Sequence, residues 1–337
     1  MIKKVKSPMM ITVTCVFMVL ALVCSSAWGQ NPKIKLIFAS GTPIGMSLEK
    51  AWLTFEKAAQ EKANGKLVIE SYHGGQLYEE ISAIDAVLNG TIHLGNASNQ
   101  NFGRFTKTLT FMDLPYTFRD PQHLRKVMNG PVGDSIRESV EKDMGVKILA
   151  MPDNGGPRPI YNTKRVLKTP NDIKGMKIRV TGSPVEAALF KAWGASPVDM
   201  GSAETFTSLQ TKLIDGHAFN WTWAYRLKHF DLLKYATEVN YLINASILVM
   251  RKDKFDGLPK DVQQILLEAG KEAEQFSVKA DAAEVTEAKE GARRKGIQIY
   301  TPTKDEMGEW VKIAKTIYPQ YVNPATIKLL EKIENVK

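Results

Sequence analysis

Short strand-like runs alternate with longer helix-like ones along most of this chain, and that alternation constrains its fold more than any other feature. Ile34 to Phe38 is followed by a helical pattern from Ser47 to Ala63, and Lys66 to Tyr72 by another from Tyr78 to Leu88. Strands separated by helices pair most readily in the same direction, so the pattern predicts an α/β fold with mainly parallel sheet. It continues through a strand at Ile92 to Leu94, helices at Gln122 to Met128 and Gly133 to Met144, and a strand at Val146 to Met151. The densest turn cluster, Pro152-Asp153-Asn154-Gly155-Gly156-Pro157, predicts a loop that crosses into a second α/β unit.

The second unit has expected strands at Ile160 to Asn162, Lys177 to Val180, Ser196 to Asp199 and His217 to Asn220. Helices are expected at Pro184 to Trp193, where Gly194 stops the run, and at Ala203 to Leu213. Ser246 to Arg251 reads as a buried strand. From Pro259 to Gly291 the chain has no Pro and, before its end, only Gly270, which predicts a helix of roughly 30 residues and about 45 Å, long enough to lie across two domains. Thr303 and Glu306 have capping-box spacing for a further helix toward Ile317, and Pro324 opens a last one.

Lys3, Lys4 and Lys6 followed by the apolar run Met9 to Val23 have the pattern of a secretory leader, with Ala27-Trp28-Gly29 before an expected cleavage at Gln30. Val23 precedes Cys24 where lipidation needs a small residue, so lipidation is not expected. The chain's 2 cysteines, Cys15 and Cys24, both fall in this leader. The mature chain would then hold neither a disulfide nor a thiolate metal site, which fits a bacterial periplasm. About 300 residues remain, more than one core usually serves. The formal charge of +9 drops to +6 without the three leader lysines, and its cations alternate with acids, as in Glu141-Lys142-Asp143. That is a solvated surface rather than a nucleic-acid stripe.

The constellations of common enzymes are missing: no Gly-x-Ser-x-Gly elbow, no phosphate loop, no Gly-x-Gly-x-x-Gly and no His-Glu-x-x-His. The 5 histidines are scattered singly, none at helical ligand spacing from another. Glu79 and Glu80 are adjacent on a helix and do not face each other; acids in a first turn suit the helix dipole.

The informative block runs from Arg158 to Trp223. Thr169-Pro170-Asn171-Asp172-Ile173-Lys174-Gly175 leads into Met176-Lys177-Ile178-Arg179-Val180. It resembles the solute receptors of tripartite ATP-independent periplasmic (TRAP) transporters, in the dicarboxylate-receptor-like group, where a similar turn precedes a strand whose arginine clamps the substrate carboxylate. Asn64-Gly65-Lys66-Leu67, Gly75-Gln76-Leu77, Gly194-Ala195-Ser196-Pro197-Val198 and Ile214-Asp215-Gly216 extend the resemblance over the mature chain. It implies an α/β, two-domain periplasmic solute-binding protein with a central inter-domain cleft and a long helix spanning both domains. The implied division is a leader at 1–29, one domain at 30–154 with about 244–284, a second at 155–243 with about 285–318, and a C-terminal helix at 319–337.

By the same resemblance Arg179 is the clamp and Arg158 a second family arginine. A guanidinium suits the task because its planar fork meets both carboxylate oxygens. The family places an asparagine four residues after the Asp of Asp-Gly; here Phe219 stands there and Asn220 follows, so either the strand end is shifted or the buttress is altered, and Asn220 is the expected buttress. Ser202 replaces an aromatic residue found in some relatives, and Thr42, Glu79 and Ser98 occupy loop positions that touch cargo. Phe219, Trp221, Trp223 and Tyr225 suggest an aromatic or hydrophobic acid if Trp221 faces the cleft. The implied protein is a monomeric receptor, not an enzyme, that needs no metal or cofactor and hands a small organic acid to an integral membrane permease. The alternatives are a receptor for an ATP-driven importer, a sensor-kinase subunit, and a periplasmic hydrolase or lyase.

Overall fold

The expected alternation of strands and helices opens the structure, a computed structural model that describes residues 33–337. The expected leader, with Cys15, Cys24 and the cleavage site, lies outside the described residues. The chain runs through β1 (Ile34–Ala39), α1 (Ser47–Lys62), β2 (Leu67–Tyr72), α2 (Glu80–Leu88), β3 (Leu94–Ser98), α3 (Asn99–Phe102), α4 (Thr110–Asp113), α5 (Pro121–Met128), α6 (Pro131–Met144), β4 (Val146–Ala150) and β5 (Asp153–Pro157). Helix α1 buries Leu48, Ala51, Trp52 and Phe55, a stripe at helical spacing that faces the core. Asp120 caps α5 by accepting from the His123 backbone, and Gly145 ends α6 in the left-handed region at φ 65°.

The middle of the chain supplies β6 (Ile160–Asn162), β7 (Lys177–Val180), α7 (Pro184–Ala192), β8 (Ser196–Asp199), α8 (Ser202–Gln210), β9 (Gly216–His217), α9 (Trp221–Arg226) and β10 (Tyr235–Thr237). Then follow β11 (Ile243–Arg251), α10 (Lys252–Asp256), α11 (Lys260–Arg294), β12 (Gln298–Tyr300), α12 (Lys304–Lys315) and α13 (Pro324–Glu334). The Thr303 and Glu306 capping box forms as expected, with Glu306 accepting from the Thr303 backbone at 2.8 Å.

Two sheets result, ordered β2-β1-β3-β11-β4, with β5 also on β11, and β12-β10-β6-β9-β7-β8. Both are mixed, which corrects the expectation of mainly parallel pairing. β1 and β3 are parallel, but β11 lies antiparallel between β3 and β4. In the second sheet β7 is parallel to β8 and β9, while β6 is antiparallel to β9 and β10. The cause is connectivity: β11 returns to the first sheet after five of the six strands of the second sheet have been built, so no single helical crossover dictates its direction.

The turn cluster at Pro152 to Pro157 is not a loop. Its last five residues form β5, which pairs antiparallel with β11. Gly155 has φ 79°, and a Cβ there would overlap the Asn220 side chain, so glycine serves a close approach between segments. Helix α11 has 35 residues, about 52 Å. Along one face Glu274 accepts from Met151 N at 2.6 Å, Ser277 from Asp153 N at 3.2 Å and Asp281 from Gly155 N at 2.9 Å. Further along, Glu284 pairs with Arg226 of α9, and Lys289 with Glu238 at 2.6 Å. The helix is thereby fastened to segments of both sheets.

Two buried carboxyls give the core a pH signature. Asp113 accepts from Ser183 Oγ at 2.6 Å and Asn99 Nδ2 at 2.9 Å, and Asp281 from Ser47 Oγ at 3.0 Å. Burial raises each from 3.8 to about 7; for Asp113 the charges of Glu186 and Arg158 act in opposite senses, and for Asp281 Asp153 and Glu284 push further up. Both folded values lie above the unfolded ones, so the stabilisation is complete below about pH 4 and is lost as pH rises through about 7. Urea unfolding at a series of pH values should show Asp113→Asn losing up to about 1.4 kcal/mol per pH unit of that decline. An unchanged slope would place the proton elsewhere.

Candidate functional site

The strand ends β3, β7, β8 and β9 converge on a cavity of about 280 Å³. Open α/β sheets expose backbone donors and short loops at these ends, which is where their ligands bind. Seven of the expected residues line it: Arg179, Arg158, Asn220, Phe219, Ser202, Glu79 and Ser98.

Arg179 sits in β7 in the pattern exposed, buried, buried, buried, and its side chain is 3% exposed. Its Nε donates to Met200 O at 3.0 Å, and its guanidinium lies 4.2 Å over the Phe219 ring. Nη1 is buried without a hydrogen-bond partner, and among the described residues Arg179 has no ion-pair partner. Burial lowers its pKa from 12.5 to about 10, which leaves it charged at neutral pH.

Arg158 differs because its charge is answered inside the protein. Its Nε donates to Ala218 O, and its Nη2 lies 3.3 Å from Glu186 Oε1. Glu186 also accepts from Thr181 N and Thr181 Oγ1, each at 2.6 Å, and from the Tyr241 hydroxyl. Burial alone would raise the Glu186 carboxyl, but the Arg158 charge and these donors outweigh it and hold it below the ordinary range. Glu186 was not among the expected residues. Its signal is the spacing Ser183-Pro184-Val185-Glu186, which looks like a capping box but turns its carboxylate toward Thr181 instead.

Asn220 lines the cavity but makes no hydrogen bond to Arg179 or Arg158. It caps α9, accepting from Trp223 N at 3.1 Å, and donates to Asn154 O. Trp223 Nε1 donates to Asn154 Oδ1 at 2.7 Å, and its ring stacks on Phe219 at 6.1 Å and 3°. The helix phase explains the correction at Trp221: three residues on from the cap returns to the cavity side, one residue on does not. Trp221 is packed away from the cavity against Tyr161, at 5.3 Å, and Phe230, at 6.3 Å. Thr42 is likewise absent from the lining; its buried hydroxyl accepts from Trp52 Nε1 at 3.3 Å.

Two neighbouring acids also line the cavity. Glu80 is buried and accepts from Ser98 N at 3.2 Å and Ser98 Oγ at 3.0 Å, while its Oε1 has no partner. Glu79 accepts from Ser202 Oγ at 3.4 Å, linking α2 to α8. Burial raises the pKa of both, and for Glu79 the neighbouring Glu80 adds to the rise. Arg104 and Asp199 pair at 2.6 Å at the exposed rim. Trp223, one of the expected aromatics, is also in the lining; Asn154 and Asn244 are there too and were missed by sequence reasoning, because no local motif marks a residue that reaches a cavity from a distant strand.

The fold brings together two histidines that are separate in sequence, His217 and His229, with ring nitrogens 3.0 Å apart. Burial drives both below the ordinary range, His229 to about 3, so the pair is neutral. Phe219 N donates to His217 Nδ1 at 3.2 Å, which leaves the His217 Nε2 hydrogen for His229. Among the described residues no group of three or more His, Cys, Asp or Glu side chains is placed to hold a metal.

Residues 38–324 match the model of bacterial extracellular solute-binding protein, family 7. The chain is similar to the 2,3-diketo-L-gulonate-binding periplasmic protein of Escherichia coli, 33% identical over 73% of this chain and 75% of that protein. It is 31% identical to the C4-dicarboxylate-binding periplasmic protein of Vibrio cholerae, over 82% of each. A TRAP periplasmic solute-binding protein from Citrobacter koseri, solved with bound D-glucuronate, is 28% identical and superimposes with a TM-score of 0.84 over 90% of this chain and 99% of its own.

Proposed function

The chain belongs to the bacterial extracellular solute-binding proteins of family 7, TRAP-type receptors for small organic acids rather than enzymes, and on that premise we propose that Arg179 clamps the carboxylate of its cargo. The observation that carries this is the unpartnered Nη1 of a buried guanidinium facing a cavity. A cation taken out of water needs an anion, and with Glu186 held by Arg158 the anion must come from the ligand. The relatives named for diketogulonate, C4-dicarboxylates and glucuronate share one group, a carboxylate.

In this reading a cleaved leader exports the receptor to the periplasm. The segment 30–154 with about 244–284 forms one lobe, and 155–243 with about 285–318 the other. The lobes close on the acid, with Arg179 on one and Glu79 and Ser98 on the other, and present it to the membrane subunits of a TRAP transporter. Contacts made only in the closed form drive closure. An aromatic cargo loses its main support with Trp221, which stacks in the core instead.

Thermal unfolding of the ligand-stripped protein against a panel of organic acids tests the assignment. A true ligand at about a hundred times its dissociation constant adds roughly 2.7 kcal/mol. Arg179→Lys, which turns a fork into a point charge, should weaken that ligand more than about tenfold in a calorimetric titration. Silence across every carboxylate would remove the receptor assignment of this cavity.

A further inference from the structure

We infer that the cargo is a polyhydroxylated monocarboxylate rather than a dicarboxylate, an aromatic acid or an amino acid. This rests on the carboxylate clamp proposed above and concerns the rest of the same ligand. Four buried side-chain atoms of cavity-lining residues have no hydrogen-bond partner: the donors Arg158 Nη2 and Arg179 Nη1, and the acceptors Glu80 Oε1 and Asn244 Oδ1. A buried polar atom left unpaired is costly, so each marks a group the ligand is expected to meet. Arg179 Nη1 asks for a carboxylate, while Arg158 Nη2, whose charge Glu186 already answers at 3.3 Å, asks only for an acceptor, which a hydroxyl supplies. The two acceptors ask for donors, which a carboxylate does not have. Asn244 otherwise donates from Nδ2 to Gln100 Oε1 at 2.6 Å, and a hydroxyl would satisfy its amide in either orientation.

Charge excludes a second carboxylate. Of the three arginines lining the cavity, Arg158 is paired with Glu186 and Arg104 with Asp199 at 2.6 Å, which leaves Arg179 alone. Glu79, Glu80 and Glu204 share the lining with it. A second carboxylate placed there would meet like charges without a free cation. The aromatic surfaces are also occupied, since Phe219 carries the Arg179 guanidinium and stacks in parallel with Trp223. An ammonium would satisfy the acids, but it can only donate, and the unpaired Arg158 Nη2 in the lining needs an acceptor. Hydroxyls both donate and accept, as this wall requires.

Calorimetric titration of the ligand-free full-length mature protein with hexonates, hexuronates, a C4 dicarboxylate, benzoate and alanine decides the matter. At least one sugar acid should bind ten times or more tightly than the dicarboxylate, benzoate and alanine, and Arg179→Lys should weaken it. If the dicarboxylate, benzoate or alanine binds as tightly as the best sugar acid, the inference is overturned. If that binding still depends on Arg179, the clamp itself survives. If no carboxylate binds, both fall.

Discussion

Replacing Arg179 with methionine should lower affinity for the bound acid by roughly two to four powers of ten, because two charge-assisted hydrogen bonds of about 1.5 to 3 kcal/mol each are lost. The same replacement should make the ligand-free protein more stable. Burial lowers the Arg179 pKa from 12.5 to about 10, equivalent to about 3 kcal/mol of unfavourable charge burial. The charges of Glu186 and Glu80 offset only part of the burial, and among the described residues no carboxylate forms an ion pair with it. Methionine keeps much of the volume over the Phe219 ring and removes the charge, at the loss of one hydrogen bond to Met200 O, about 1 kcal/mol. Opposite signs for binding and for unligated stability are the mark of a site strained for function. Titration calorimetry and thermal unfolding on one preparation measure both, and a parallel fall in the two would show that Arg179 holds the fold rather than the ligand.

The contrast between Arg179 and its surroundings shows what the amino-acid sequence carries on its own. The α/β alternation, the helix ending at Gly194, the capping box at Thr303 and the long α11 were legible because each is set by residues close in sequence. β5 was not, because Asp-Asn-Gly-Gly-Pro has turn composition, and only pairing with the distant β11 makes it a strand. β10 and β12, three residues each, were missed for the same reason: β12 pairs with β10, and β10 with β12 and β6, each more than sixty positions away. In the site, the expected strand at His217 to Asn220 ends at His217, and α9 begins at Trp221. That change of period, from two to 3.6, is what exchanges Trp221 for Trp223 at the cavity. Arg179 itself was identifiable only through family resemblance, since an arginine ending a strand is commonly a solvated one.

The partner that keeps Arg158 out of reach of a second anion should also be the most sensitive point for stability. Glu186→Ala would leave a guanidinium 2% exposed without its carboxylate, and Thr181 and Tyr241 without their acceptor. Breaking one side of such a pair costs about 3 to 5 kcal/mol. Removing both sides behaves differently, because an apolar pair of similar volume escapes the desolvation of two ions. Arg158→Met combined with Glu186→Leu should therefore recover a large part of the loss, and urea midpoints for the singles and the double give the coupling directly. If Glu186→Ala unfolds within about 1 kcal/mol of the parent, the pair is solvated in solution. Arg158 would then be a free second cation for the ligand, and the argument from charge against a dicarboxylate would lose its premise.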